Sequence, residues 1–319
     1  MSDLVSLAEI EEAAGRLPGV VVRTPLVPFP LSDPALLVKA ESLQPIGAFK
    51  VRGAYATIAG LPEDVRKRGV VTHSSGNHAQ AVAFTARALG IRAVLVVPNT
   101  APQVKVDACV ALGAEVLYVE PTMEARETTA ARLAEAHGLT LVPPYDDRRI
   151  VAGQGTAGLE IVQDRPDVDV VLVPIGGGGL ISGVAAAVKR LRPEAKVIGV
   201  EPQLAADARA SLLAGRPVSW TAAQTARTSA DALRAQRVGD IPFAHIRAFV
   251  DDIVTVSEEE IRLTVRRLAR EARLIAEPGG AVATAAYLYR GDELPSARTY
   301  VSVLSGGNVD PAYLAEAIA

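Results

Sequence analysis

The sequence predicts an α/β fold built on mainly parallel sheets. Short β-branched runs alternate with alanine-rich helical patterns along most of its 319 residues. Apolar runs pass directly into glycine turns and then into helical patterns, as strand-to-helix crossovers do. No repeat period of roughly 20 to 50 residues is present, which argues against a stacked array.

In chain order, Ser6-x-x-Glu9 opens the first helix as a capping box, in which hydroxyl and carboxylate each satisfy a free backbone N–H. Strands are expected at Leu36–Ala40, Gly69–His73, Ala93–Val97, Glu115–Val119, Val168–Pro174, Lys196–Glu201 and Thr299–Leu304, with helices between them. Ser257-x-x-Glu260 is a second capping box. The turn-forming stretches Leu61-Pro62-Glu63-Asp64 and Pro143-Pro144-Tyr145-Asp146-Asp147 bound about four strand–helix units. Residues 1–65 and 144–319 are therefore expected to form a large domain and residues 66–143 a smaller inserted one. A cleft between them is the natural ligand site.

Composition narrows the partners. With 49% apolar and 22% charged residues and a net charge of −3, the chain has no broad basic field for a nucleic acid. Its one cysteine, Cys109, allows neither a disulfide framework nor a cysteine-rich zinc site, which fits a reducing compartment. The N-terminus lacks the basic start and apolar run of a signal peptide, and no apolar stretch approaches the roughly 20 residues of a membrane span. A cytoplasmic protein with no membrane partner is expected.

Four segments are able to carry chemistry. Gly176-Gly177-Gly178-Gly179 follows the apolar run Val170–Pro174 and precedes the helix pattern Val184–Leu191. Glycines let backbone N–H groups approach an anion, and a helix start adds a positive dipole end, so a phosphate cradle follows; the plainer reading is a flexible turn. Gly177-x-Gly179 with Gly183 and Glu201 also comes close to a dinucleotide fingerprint, but Ser182 holds the place of its third glycine. Gly153-Gln154-Gly155-Thr156-Ala157-Gly158 matches that expression fully, yet follows no clear strand and reads as close helix packing.

Lys50, between Phe49 and Val51, is one of six lysines against 27 arginines. Apolar surroundings disfavour its charged form and leave an amine able to form a Schiff base; on this segment alone, a lysine snorkelling from a helix start is the better reading. His73-Ser74-Ser75-Gly76-Asn77-His78 joins a strand to a helix, and its N–H groups suit a carboxylate, while Ser75 or Asn77 also suits a plain N-cap. The four histidines have no metal-site spacing. Ser305, in Val303–Asn308, ends a strand at a glycine turn and offers a hydroxyl.

Together and in this order, these segments resemble the fold-type II pyridoxal-5′-phosphate enzymes of the threonine/serine dehydratase and serine racemase family. The resemblance runs from Arg23-Thr24-Pro25-Leu26 through Gly153-Gln154-Gly155-Thr156 to Ser305-Gly306-Gly307-Asn308. It implies a tryptophan synthase β-like fold with two open mainly parallel sheets and helices on both faces. It also implies that Lys50 carries the cofactor, that Phe49 lies beside its ring, and that Gly176, Gly177, Gly178 and Gly179 hold its phosphate. Asn77 would partner the phenolic oxygen and Ser305 the ring nitrogen.

The resemblance further implies that Ser74, Ser75, Gly76, Asn77 and His78 grip the substrate carboxylate, with Arg126 facing it, while the smaller domain closes over an amino acid. Glu201, the Ala205 carbonyl and Asp207 match a site for Mg²⁺ or Ca²⁺ in several relatives; acids at a helix start are the plainer account. The implied reaction is β-elimination from a β-hydroxy-α-amino acid such as L-threonine or L-serine, giving a 2-oxo acid and ammonia. Racemisation is the alternative, which a serine at position 75 permits. A homodimer is expected, without the C-terminal regulatory domain of biosynthetic threonine dehydratases.

Two departures stand out. Where relatives read Ala-Asp-Gly, this chain has Ala230-Asp231-Ala232, and Ala235 replaces a hydroxyl residue. Both put the usual threonine or serine preference in doubt and point to another β-hydroxy-α-amino acid. The minor change Ala48-Phe49-Lys50 replaces Ser-Phe-Lys. A nicotinamide dehydrogenase, resting on the glycine run and Glu201, is the rival from a different class, and it leaves Lys50, Asn77 and Ser305 without roles.

Overall fold

The computed structural model describes residues 4–74, 76–101 and 103–319. Its strands are β1 (Leu26–Pro28), β2 (Ala35–Ala40), β3 (Val70–Thr72), β4 (Ala93–Pro98), β5 (Glu115–Val119), β6 (Thr140–Leu141), β7 (Val170–Pro174), β8 (Lys196–Pro202), β9 (Asp252–Val256) and β10 (Thr299–Leu304). They form a six-stranded sheet in the order β1-β2-β10-β7-β8-β9 and a four-stranded sheet in the order β5-β4-β3-β6. Every pairing is parallel except the one between β1 and β2.

The unbroken apolar runs of β7 and β10 follow from burial on both faces. Val282 and Ala286 of the Pro278–Tyr289 helix pack on one face of the large sheet. Ile161, Val184 and Val188, from the Arg148–Asp164 and Gly179–Leu191 helices, pack on the other. A further core runs without a break from β4 through the Asn77–Leu89 and Lys50–Ala59 helices to Ile10 and Ile150. The four-stranded sheet is thereby joined by packed side chains to the helices that cover the large sheet.

All seven strands expected from the sequence are present, with ends shifted by at most two residues. Both capping boxes form as read, at Ser6 and Ser257. The strands not foreseen are β1, β6 and β9, which hold two to five residues each and lie at sheet edges. Gly153–Gly158 lies inside the Arg148–Asp164 helix. A Cβ on Gly153 would sit 2.6 Å from the Gly53 Cα, and one on Gly158 2.7 Å from the Val184 carbonyl oxygen. These glycines serve helix contact, as the sequence reading expected.

Beneath the Lys50–Ala59 helix lies a buried ion network. Arg52 donates from Nε and Nη2 to the two Glu41 oxygens, at 2.8 Å each. It also donates from Nη1 and Nη2 to Glu160, at 2.8 and 2.7 Å. Lys39 pairs with Glu160 and donates to the Thr24 carbonyl. Burial alone would raise the Glu41 pKa, but Arg52 and Lys39 hold it below the ordinary carboxylate value. The network pins the first turn of the helix that Lys50 begins.

Candidate active site

The described residues place the sequence-selected groups around one cavity of about 270 Å³. Phe49, Lys50, Ser74, Gly76, Asn77, His78, Arg126, Gly176, Gly177, Gly178, Gly179 and Ser305 all line it. Ser75 lies outside the described residues. The isolated bridge between Ala48 and Gly306 and the bond from Phe49 N to the Ser305 carbonyl, 2.9 Å, bring the lysine turn against the end of β10.

Four helices start at this cavity: Lys50–Ala59, Asn77–Leu89, Gly179–Leu191 and Pro278–Tyr289. None has a side-chain cap. By contrast, Ser6, Thr122, Asp147, Ser257 and Asp310 cap helices elsewhere. Free N–H groups and positive dipole ends converge on the cavity, which is the physical requirement for an anionic ligand.

The glycine run has specific reasons. Gly178 adopts φ +90°, which disfavours any side chain. A Cβ on Gly177 would lie 2.2 Å from the Tyr145 ring. Backbone conformation at Gly178 and close packing at Gly177 therefore each require glycine.

Lys50 Nζ lies 5.1 Å from the centre of the Phe49 ring and donates to the Pro144 carbonyl at 2.7 Å. Burial, without a compensating carboxylate, lowers its pKa to about 8. The Asn77 amide is held from both ends: Asn308 donates to its Oδ1 at 2.8 Å, and its Nδ2 donates to Glu277 at 2.7 Å. Nδ2 keeps a second hydrogen for a ligand oxygen. Asn77 is the first helical residue and Gly76 the N-cap, so the N-cap reading of Asn77 is not what the structure shows.

Arg126 donates to the Thr122 carbonyl at 3.2 Å and forms no ion pair among the described residues. His78 Nε2 sits 3.0 Å from the Val142 carbonyl, and burial, aided by Lys50, lowers its pKa to about 3. Burial likewise lowers His73 to about 4. Both rings are neutral at physiological pH.

Sequence reasoning missed several lining residues. Glu277 is 3% exposed; burial, and then the charge of Asp231, raise its pKa to about 7 against the opposing Asn77 bond. Lys105, Tyr145, Asp231 and Arg234 line the cavity too. Glu277 bonds to Asn77 and Lys105 to Asp231 across long stretches of chain, so no local spacing announces these three.

Glu201, at the end of β8, is fully buried and accepts from the N–H groups of Ala208 and Arg209 at 3.0 and 2.8 Å. A carboxylate used this way does not face a ribose at the Gly179–Leu191 helix, so the dinucleotide reading of the glycine run loses its acidic partner.

Residues 18–306 match the family model described as pyridoxal-phosphate dependent enzyme. The chain belongs to that family. It is a pyridoxal-phosphate dependent enzyme of the fold-type II class. It is 42% identical to an L-threonine ammonia-lyase of Thermotoga maritima, over 96% of this chain and 76% of that one. It is 38% identical to an L-threo-3-hydroxyaspartate ammonia-lyase of Saccharomyces cerevisiae, over 95% of this chain and 93% of that one. The structure of serine racemase from Dictyostelium discoideum matches with a TM-score of 0.90 and 36% identity, covering 96% of this chain and 99% of that one. Within this pyridoxal-phosphate dependent enzyme, no described helix is long and apolar enough to cross a membrane.

Proposed function

We propose that this enzyme is an ammonia-lyase, eliminating water from a β-hydroxy-α-amino acid to release an enamine, whose imine tautomer takes up one water again to yield a 2-oxo acid and ammonia. The observation that carries this is a desolvated lysine amine at a cavity where four uncapped helix starts meet. Pyridoxal phosphate, when bound, supplies the aldehyde that captures the substrate amine and the ring that draws electron density from Cα. Lys50 would hold it covalently, Gly176–Gly179 its phosphate, Asn77 its phenolic oxygen and Ser305 its ring nitrogen, with Phe49 beside the ring.

The remaining steps belong to the chain's own groups. The N–H groups at Gly76, Asn77 and His78, with Ser74, orient the substrate carboxylate, and Arg126 faces it as a cation that forms no ion pair among the described residues, though Glu127 lies beside it. Lys50 Nζ, with a pKa of about 8, takes the Cα proton. Ser305 brings a neutral hydroxyl and therefore no charge to hold a proton at the ring. The layer formed by residues 66–143 closes over the cavity and excludes water.

Ala232 and Ala235 line the cavity, one adding a methyl group and the other offering no hydroxyl. They favour a β-hydroxy-α-amino acid other than threonine, in keeping with the hydroxyaspartate ammonia-lyase among the relatives. A panel of L-threonine, L-serine and L-threo-3-hydroxyaspartate, scored for 2-oxo acid and ammonia, tests both statements. Inactivity on all three ends the elimination reading, and a kcat/KM strongly favouring threonine ends the substrate preference. The serine racemase likeness supports a second reading, racemisation at the same site, which chiral analysis of residual serine measures.

Mg²⁺ or Ca²⁺ is proposed at Glu201, the Ala205 carbonyl and Asp207. The helix-start account explains Glu201 but not Asp207, whose two carboxylate oxygens are buried with only the backbone N–H groups of Asp207 and Val238 near them and no well-aligned hydrogen bond. Two acids and a carbonyl suit a hard cation. Addition of either ion at about 100 times its Kd is expected to stabilise the holoenzyme by about 2.7 kcal/mol. Chelation reverses the gain and Asp207→Asn abolishes it; an unfolding midpoint indifferent to both ions refutes the site. A homodimer belongs to the same proposal: Val22, Leu43 and Ile275 are exposed apolar residues on segments that meet near Ser42 and Gln44. Sedimentation of the holoenzyme measures it.

A further inference from the structure

We propose that Lys105 and Asp231 form a latch across the mouth of the active-site cleft, made when the two sheet layers close and broken when they part. Lys105 lies on the Gln103–Ala111 helix of the four-stranded layer. Asp231 opens the single turn Asp231–Leu233 on the six-stranded side. Lys105 Nζ and Asp231 Oδ2 are 2.6 Å apart, although 126 residues separate them in the chain. Both side chains line the cavity.

The position of the pair gives it this role. Behind the cleft, the helices of the two layers share the continuous core that contains Ile58, Ala79, Leu95 and Ile150. A packed core resists sliding, so motion between the layers acts on the contacts across the cleft. Across the cleft, Asn77 bonds to Glu277 and Asn308. Among the described residues, Lys105–Asp231 is the only long-range ion pair that joins the layers; every other one lies within a single layer or within a local helical turn.

The chemistry of the two partners suits release as well as capture. Asp231 sits on an anchored segment: Arg234 donates to the Thr228 carbonyl and Ser229 to Glu258. Its partner is a lysine in a chain with 27 arginines. A compact ammonium on a flexible stem makes one replaceable contact, where a guanidinium fork would make two. The side chains are 29% and 41% exposed, so the pair is weak enough to break during each turnover. The latch is independent of which amino acid is turned over.

Lys105→Asp, Asp231→Lys and the doubly exchanged enzyme test it in the holoenzyme. Each single reversal is expected to raise KM by about five- to tenfold and to speed amide exchange in residues 103–111 and 231–235. The double exchange is expected to return both readouts to within about threefold of the parent, which a loss of folding would not permit. Singles that behave like the parent, or a double variant no better than the worse single, overturn the latch. Amide exchange needs no turnover, so this outcome stays readable if the ammonia-lyase reading fails.

Discussion

Lys50→Ala is expected to lower 2-oxo acid formation by about 10³-fold or more while the protein remains folded. Among the described residues, the variant loses the one cavity-lining lysine that has no carboxylate partner, together with the visible absorption band of the bound cofactor. No other lysine is placed to substitute: Lys39 is locked to Glu160, Lys105 is paired with Asp231, and Lys67, Lys189 and Lys196 pair with Glu63 and Asp251 elsewhere. Folding survives because the Lys50 amine makes one hydrogen bond, to the Pro144 carbonyl.

The pH dependence follows with a definite sign. Below its pKa of about 8 the amine is protonated and cannot attack an aldehyde. Uptake of pyridoxal phosphate by the cofactor-free chain should rise by about tenfold per pH unit toward that value and level off above it. Growth of the visible band after rapid mixing measures the rate. A flat profile between pH 6 and about 9 would contradict the desolvated amine.

Arg52→Met is expected to cost about 3 to 5 kcal/mol of stability, read by denaturant unfolding, because it strands Glu41 and Glu160 without their main cation. Glu41 is fully buried and cannot recover that loss from water. Pairing the change with Glu41→Gln should recover part of the loss, since the uncompensated charge rather than the missing bond dominates. Cofactor binding should weaken alongside, because the Lys50 turn rests directly on this network. An Arg52→Met enzyme as stable as the parent would show that the network carries no such load.

What the sequence disclosed and what it withheld divide along physical lines. Lys50 and Ser305 were singled out only by the resemblance of the four segments taken together, whereas Asn77 and Gly176–Gly179 were singled out at junctions where a strand meets a helix start. The long parallel strands were readable for a similar reason, since burial on both faces demands unbroken apolar runs. Short edge strands such as β6, with two residues, carry no such pattern. Glu277 and Asp231 were unreadable because their meaning comes from partners 200 and 126 residues away. The same holds for Arg52, whose neighbours in sequence say nothing of Glu160.

The four bare helix starts also sort products by sign. A carboxylate or phosphate is drawn toward them, each end contributing about 0.3 to 1 kcal/mol. Nitrogen freed by the reaction meets the opposite outcome, because at neutral pH it takes up a proton and becomes a small cation facing positive ends. The helix starts thus favour the acid product over ammonium, while the carboxyl groups of Asp231 and Glu277 at the same cavity act with the opposite sign.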